Sequence, residues 1–142
     1  MILCANPAAQ FDSYQSEIES AVLSVMRGNR YILGAEVEAL EEEFATYIGT
    51  SYAVGVANGT DALELALRAL DIKSGDEVIT VSHTAVATVA AIEASGATPV
   101  LVDVEQEFYT LEPVQLEEAY SSKTKAIIVK TTVLLTLQEF PL

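Results

Sequence analysis

The sequence GDEVITVSHTAVATVAAIEASGATPVLVD, residues 75–103, decides the fold class of this 142-residue chain. Its apolar run at 77–81 predicts a strand, residues 84–95 predict a helix, and the run at 98–104 predicts a second strand. A glycine-containing turn precedes each of the two strands, at residues 73–76 and 95–97. A strand, a helix and a strand in this order form a βαβ unit with parallel strands. Because both strands are almost wholly apolar, we expect a sheet that is covered on both faces.

The rest of the chain continues this alternation of helices and strands. The order predicts a second βαβ unit ahead of the first, and therefore an α/β fold with a mostly parallel sheet and flanking helices. In such a sheet, ligands bind at the carboxyl ends of the strands. The further helices are predicted at residues 12–26, 35–48, 60–70 and 113–120, and the further strands at residues 52–56 and 126–129.

The charge and the cysteine content narrow the class of protein. Seven basic against 21 acidic side chains give a net charge of −14, which disfavours nucleic acid and anionic membrane surfaces as partners. Cys4 is the single cysteine, so an intramolecular disulfide and a paired-cysteine zinc site are excluded. The first seven residues lack the basic segment of a secretory signal, and the longest uncharged stretch, residues 78–92, is too short to span a membrane. We therefore expect a soluble, cytoplasmic protein.

The turn ANGTDAL, residues 57–63, is the first candidate site. It joins the predicted strand at 52–56 to the helix that follows. Gly59 lets the backbone approach a ligand, and Thr60 adds a hydroxyl beside the N–H groups of the first helical turn. Those N–H groups and the helix dipole favour a phosphate. Asn58, Gly59 and Thr60 are also ordinary turn and capping residues, so a purely structural role remains open.

A second candidate is the loop Ser82-His83-Thr84, after the strand at 77–81. His83 is the only histidine, so a histidine-rich metal site cannot form; no metal ligands are predicted. His83 could serve as an aromatic platform, as an acid or base, or as a hydrogen-bonded loop residue. Asp103 and Glu105 follow the next strand and would lie at the same edge. Tyr31 could contact a ligand or a partner subunit, or simply pack.

Five segments together resemble the start of the DegT/DnrJ/EryC1/StrS family of sugar aminotransferases. The resemblance covers roughly residues 12–129, and agreement in order and spacing over several motifs is far more specific than any one of them. The segments are YILGAEVEALE (31–41), YAVGVANGTDAL (52–63), GDEVI (75–79), HTAVAT (83–88) and GATPVLVD (96–103).

This resemblance implies a pyridoxal-phosphate enzyme with the aspartate-aminotransferase fold, which moves an amino group from glutamate or a similar donor to a keto group of a nucleotide-linked sugar. It also implies a homodimer. Residues 35–129 would be part of the large domain, residues 1–34 an N-terminal helix and loop, and residues 130–142 an atypical tail. The related sugar dehydratases are not separated from the aminotransferases by these residues.

The resemblance also assigns candidate site residues. Gly59 and Thr60 would bind the cofactor phosphate, with Asn58 shaping their turn, and Tyr31 would contact the substrate. The loop up to Ala85 would lie against the pyridine ring. Relatives often have an aromatic residue where this chain has Ala85, so we take His83 as the substitute. These are the residues from which we expect cofactor binding.

The sequence after residue 129 departs from the family pattern. Relatives continue to an Asp that pairs with the pyridine nitrogen and to the Lys that forms the Schiff base, and neither is matched here. We therefore expect a truncated chain that does not transaminate alone, and predict no catalytic residue in it. The alternative is a non-catalytic α/β module that binds a phosphorylated ligand or a protein partner.

Overall fold

The computed structural model describes residues 5–130, and the predicted tail beyond residue 130 lies outside them. The chain divides into two compact units, one ending at Gly55 and the other beginning at Val56. The first unit contains helices α1 (Pro7–Arg27) and α2 (Ala35–Ile48). The second contains, in chain order, α3 (Gly59–Ala69), β1 (Glu77–Val81), α4 (Val86–Ala94), β2 (Thr98–Val102), α5 (Pro113–Ala119) and β3 (Thr124–Ile128).

Capping residues fix the ends of the two helices in the first unit. The Asn6 side chain accepts a hydrogen bond from the Ala9 N–H at 3.2 Å, so α1 begins five residues before the apolar pattern does. Helix α2 ends at Gly49, whose φ of 80° lies in the left-handed region that glycine adopts without strain. Helix α2 therefore has the predicted bounds, whereas α1 is longer than predicted.

The prediction of a strand at residues 52–56 is wrong. This segment pairs with no strand in the described part of the chain, and Tyr52 and Val54 are 87% and 77% exposed. Its Gly55 N–H instead donates to the Glu41 carboxylate at 2.6 Å. A β-strand needs the backbone N–H and C=O groups of a neighbouring strand as hydrogen-bond partners. The described residues offer the Gly55 N–H a carboxylate oxygen instead.

The second unit is built on a three-stranded parallel sheet in the order β2-β1-β3. At the centre, Ile79 is paired with Val100 on one side and with Ile127 on the other. The four residues from Val78 to Val81 are fully buried. The predicted parallel α/β architecture is therefore confirmed, with β1 as the central strand.

Helices cover the two faces of β1. On one face, Val78 packs with Leu67 of α3 and Ile92 of α4. On the other, Ile79 and Val81 belong to a cluster that includes Leu116 and Ala119 of α5. The expected double coverage holds for β1 but not for the outer strands, where Leu101 is 53% and Ile127 43% exposed.

The end of α3 differs from the sequence pattern. Leu70 follows Leu67 at helical spacing, which predicts a buried side chain, but it is 68% exposed. The chain turns at Asp71, whose φ is 57°, and the Ile72 N–H donates to the Leu67 carbonyl at 3.1 Å. This turn buries Ile72 in the same cluster as Leu67, where continued helical spacing would have placed Leu70.

The loop between β2 and α5 is organised by one carboxylate. Glu105 accepts hydrogen bonds from the N–H groups of Glu107 and Phe108, both at 2.6 Å, and of Thr110 at 3.2 Å. Val104 and Leu111 form an antiparallel bridge that closes the loop. Burial acts to raise the pKa of the Glu105 carboxyl, but these hydrogen bonds outweigh it and hold the pKa below its usual value.

We expect Thr80→Val to destabilise the sheet. The Thr80 hydroxyl is buried and donates to the Ile128 carbonyl of β3 at 3.0 Å, and a net hydrogen bond of this kind contributes about 1 kcal/mol. Urea unfolding followed by circular dichroism measures the loss. The exposed Thr98→Val is the matched control, with an expected change within about 0.5 kcal/mol. Equal stability of the two variants would contradict the role given to Thr80.

Acidification should loosen the Glu105 loop. Because the folded pKa of this carboxyl is depressed, its stabilising contribution is complete above the unfolded pKa of about 4.3 and is lost as the pH falls through the lower folded value. The amide chemical shifts of Glu107 and Phe108, followed by NMR from pH 7 downwards, report this change. Glu105→Gln cannot ionise and should lack the transition. The same transition in Glu105→Gln would show that another group causes it.

Candidate functional site

At the carboxyl edge of the sheet, the topology predicts a crevice between β1 and β2. The loop after β1 leads to α4 on one face of the sheet, whereas the loop after β2 leads to α5 on the opposite face. Loops of neighbouring strands that leave in opposite directions open a gap between them, and ligands of α/β proteins bind in such gaps. The fold therefore directs the search to the residues that follow β1 and β2.

Helix α3 begins at this same edge. Arg68, near its end, donates to the carbonyl of Ala94, the last residue of α4, at 3.0 Å. The ends of α3 and α4 thus lie together, and the chain runs from each of them into the amino end of a strand. Since the two helices pack side by side, both start at the carboxyl edge. The Asn58 turn and the Ser82–Thr84 loop therefore share one edge of the sheet.

Asn58 caps α3 through a reciprocal pair of hydrogen bonds. Its Oδ1 accepts from the Asp61 N–H at 3.0 Å, and its Nδ2 donates to the Asp61 carboxylate at 3.1 Å. The amide thus satisfies one backbone donor and occupies the one carboxylate in the first turn. The structural role that the sequence left open for Asn58 is present, and it leaves the neighbouring donors available.

The first turn of α3 offers donors that suit a phosphate. The N–H groups of Gly59 and Thr60 and the Thr60 hydroxyl make no hydrogen bond within the described residues. A Cβ built on Gly59 would meet no heavy atom within 4 Å, so the space beside it is open. Two N–H groups at a helix start, beside a hydroxyl and open space, fit the cofactor phosphate that the family resemblance implies. That Gly59 and Thr60 bind it remains a prediction.

His83 lies across the crevice from the loop that follows β2. It is exposed and makes no hydrogen bond within the described residues, so the hydrogen-bonded loop histidine that the sequence allowed is not what the structure shows. Its ring instead contacts Tyr109, with ring centroids 6.3 Å apart and planes inclined at 50°, a normal separation for an aromatic pair. Ala85 is the exposed N-cap of α4, two residues further along.

Tyr109 and the role of Glu105 were missed by the sequence analysis. The sequence pattern puts Glu105 at this edge, but it does not indicate that Glu105 shapes a loop or that Tyr109 lies in the site. The position of Tyr109 in the chain could have indicated it, because Tyr109 lies in the loop after β2, the strand that pairs with β1. Asp103 is exposed, and its carboxylate accepts the Val104 N–H at 2.9 Å, which is a local turn contact.

Tyr31 belongs to the first unit. Its hydroxyl donates to the Met26 carbonyl at 3.1 Å, and its side chain is 63% exposed. It borders a cavity of about 270 Å³ with Val25, Arg30 and Val37. The ring is thus anchored at one end and accessible at the other, and the substrate contact given to Tyr31 stays a prediction.

Within residues 5–130, no three His, Cys, Asp or Glu side chains are arranged to hold a metal ion. No helix in this range has both the length and the apolar character needed to cross a bilayer.

Comparison with known proteins agrees with these features. Residues 12–132 match the DegT/DnrJ/EryC1/StrS aminotransferase family. The dTDP-3-amino-3,6-dideoxy-alpha-D-galactopyranose transaminase of Aneurinibacillus thermoaerophilus is 51% identical over 116 residues, which cover 82% of this chain and 32% of that protein. The UDP-2-acetamido-2-deoxy-3-oxo-D-glucuronate aminotransferase of Pseudomonas aeruginosa is 44% identical over 114 residues, with 80% and 32% covered.

A solved structure extends the similarity to three dimensions. The crystal structure of S. venezuelae DesV in complex with a ketimine intermediate superposes with a TM-score of 0.85 and 40% identity, over 94% of this chain and 38% of that one. The expected fold, part of the large domain of the pyridoxal-phosphate-dependent sugar aminotransferases, is confirmed. The chain spans about a third of the length of the curated relatives it matches. It belongs to the DegT/DnrJ/EryC1/StrS aminotransferase family.

Proposed function

We propose that this chain provides the phosphate-binding and ring-facing part of a pyridoxal-phosphate site, in a protein that aminates a keto group of a nucleotide-linked sugar. The observation that supports this most directly is the pair of open N–H groups of Gly59 and Thr60 at the carboxyl edge of the sheet. They lie at the edge that also carries His83 and Ala85. Bound there, pyridoxal phosphate would accept and return the amino group and serve as the electron sink.

The backbone donors matter because the chain is strongly acidic. A net charge of −14 repels a phosphate at long range, so local donors must supply the attraction. The N–H groups of Gly59 and Thr60 and the positive end of the α3 dipole do this without a basic side chain. Asn58 assists by holding the Asp61 carboxylate in a hydrogen bond at 3.1 Å.

The relatives suggest the substrate class. Both curated relatives are named for nucleotide-linked sugars that carry an amino or oxo group, although one carries dTDP and the other UDP. We infer a nucleotide-linked keto sugar as acceptor and glutamate or a similar amino acid as donor. Substrate contact by Tyr31, a homodimeric assembly, which the family resemblance implies, and a cytoplasmic location complete the proposal.

Two lysines of the second unit are badly placed for imine formation. Lys73 precedes β1, at the amino edge of the sheet, and its Nζ donates to the Asp71 carboxylate at 2.6 Å. This hydrogen bond and the charge of Asp71 raise the pKa of Lys73, which is opposite to the lowering that activates a nucleophilic lysine. Lys123 precedes β3 and is likewise at the amino edge. Neither of these two lysines is therefore placed to form the imine, and the role that we propose for the chain is cofactor binding and orientation.

Thr60→Ala should weaken binding of pyridoxamine 5′-phosphate. This probe carries the phosphate but has no aldehyde, so it cannot form imines with surface lysines. A hydrogen bond to a charged group contributes about 1.5–3 kcal/mol, and its loss raises the Kd by about tenfold or more. Isothermal titration calorimetry of the chain measures it.

The controls for this measurement are a second threonine and a second ligand. Thr98→Ala, at the opposite edge of the sheet, should leave the Kd unchanged, and pyridoxamine without phosphate should bind both proteins equally weakly. Equal affinity of wild type and Thr60→Ala for the phosphorylated probe would refute the phosphate role.

A segment exchange tests the catalytic part of the proposal. The 142-residue chain alone, supplied with pyridoxal phosphate, glutamate and a keto-sugar nucleotide, should release no 2-oxoglutarate. Residues 12–130 placed in the A. thermoaerophilus transaminase, in exchange for the matched segment, should retain measurable transfer. Thr60→Ala in the hybrid should lower that transfer about tenfold or more. A folded hybrid that binds the cofactor without transferring an amino group would contradict the proposed function.

A further inference from the structure

We propose that Tyr109 is a positioning residue that holds the His83 ring at the crevice between β1 and β2, and that Glu105 shapes the loop that presents Tyr109. The ring contact itself is independent of the proposed function. Its consequence rests on that function: the paired rings form the wall against which the pyridine ring of the cofactor would lie.

The first step of the argument is the loop. The Glu105 carboxylate accepts three backbone N–H groups and, at 3.4 Å, the Thr110 hydroxyl. The Glu105 N–H also donates to the Thr110 carbonyl at 3.0 Å. Several hydrogen bonds that converge on one ionised group fix the backbone between these two residues. The position of Tyr109 is therefore set by the carboxylate four residues earlier.

The second step is the backbone of Tyr109. Its φ is 56°, in the left-handed region, which is uncommon for a bulky aromatic residue and costs free energy. Such a conformation persists where the surrounding contacts over-determine it. Here the Glu105 hydrogen bonds supply those contacts, and the result is that the Tyr109 ring lies against His83 rather than elsewhere.

The third step is that His83 has no other anchor. Its ring makes no hydrogen bond within residues 5–130, and its side chain is exposed. The Tyr109 ring, at a centroid distance of 6.3 Å, is the aromatic contact that the structure gives it. Because Ala85 contributes no ring, an aromatic surface at this place depends on His83, and the orientation of His83 depends on Tyr109.

NMR on the wild-type chain tests the positioning directly, without cofactor. His83 is the only histidine, so its ring signals are unique. We expect nuclear Overhauser contacts between the two rings. Tyr109→Ala should shift the His83 ring signals, and Tyr109→Phe, which keeps the ring, should restore them. Glu105→Ala should abolish the contacts. Glu107→Ala should preserve them, because the Glu107 side chain is exposed and makes no hydrogen bond within residues 5–130.

Binding of pyridoxamine 5′-phosphate tests the consequence. Tyr109→Ala should raise the Kd about threefold to tenfold, the range of an aromatic pair, and Tyr109→Phe should restore it. Unchanged His83 signals in Tyr109→Ala would overturn the positioning role. Shifted signals with an unchanged Kd would overturn the cofactor wall while leaving the positioning intact. Failure of the wild-type chain to bind the probe would instead count against the proposed function, since the ring contacts are measured without it.

Discussion

The structure of the second unit depends on strand β1, which has backbone partners at both edges and is covered by helices on both faces. Its backbone pairs with parallel strands at both edges, and its side chains from Val78 to Val81 are fully buried under helices on both faces. A parallel strand can reach its neighbour only through a crossover, and consecutive crossovers here lie on opposite faces. The loops after β1 and β2 therefore leave the sheet on opposite faces, which is the arrangement that places a candidate site at this edge.

The site so formed relies on backbone geometry more than on charged side chains. Donors for an anion come from the start of α3, where the Asn58 cap satisfies Asp61 and leaves Gly59 and Thr60 open. The proposed site would thus hold a phosphate through backbone donors, although the chain carries a net charge of −14. On the opposite side, the Tyr109 ring is positioned by the loop that Glu105 shapes and not by a helix or a strand.

Sequence reasoning predicted the elements whose pattern was strong and local. The bounds of α2 and β1 agree at both ends, because a left-handed glycine ends α2 and turn residues flank β1. Sequence reasoning failed where strand pairing or the turn at a helix end determines the local structure. Residues 52–56 are apolar like a strand but have no strand beside them in the described part, and Leu70 follows the helical period but is displaced by the turn at Asp71.

The sequence by itself determined the fold class and the family, because these depend on periodicity and on motifs that are continuous along the chain. Only the tertiary structure decided that Tyr109 lies against His83, since the two residues are far apart in sequence and meet through the pairing of β1 with β2. It likewise showed that Glu105 shapes a loop. The physical reason is that hydrogen bonds and ring contacts between distant segments depend on strand order and backbone conformation, which periodicity does not encode.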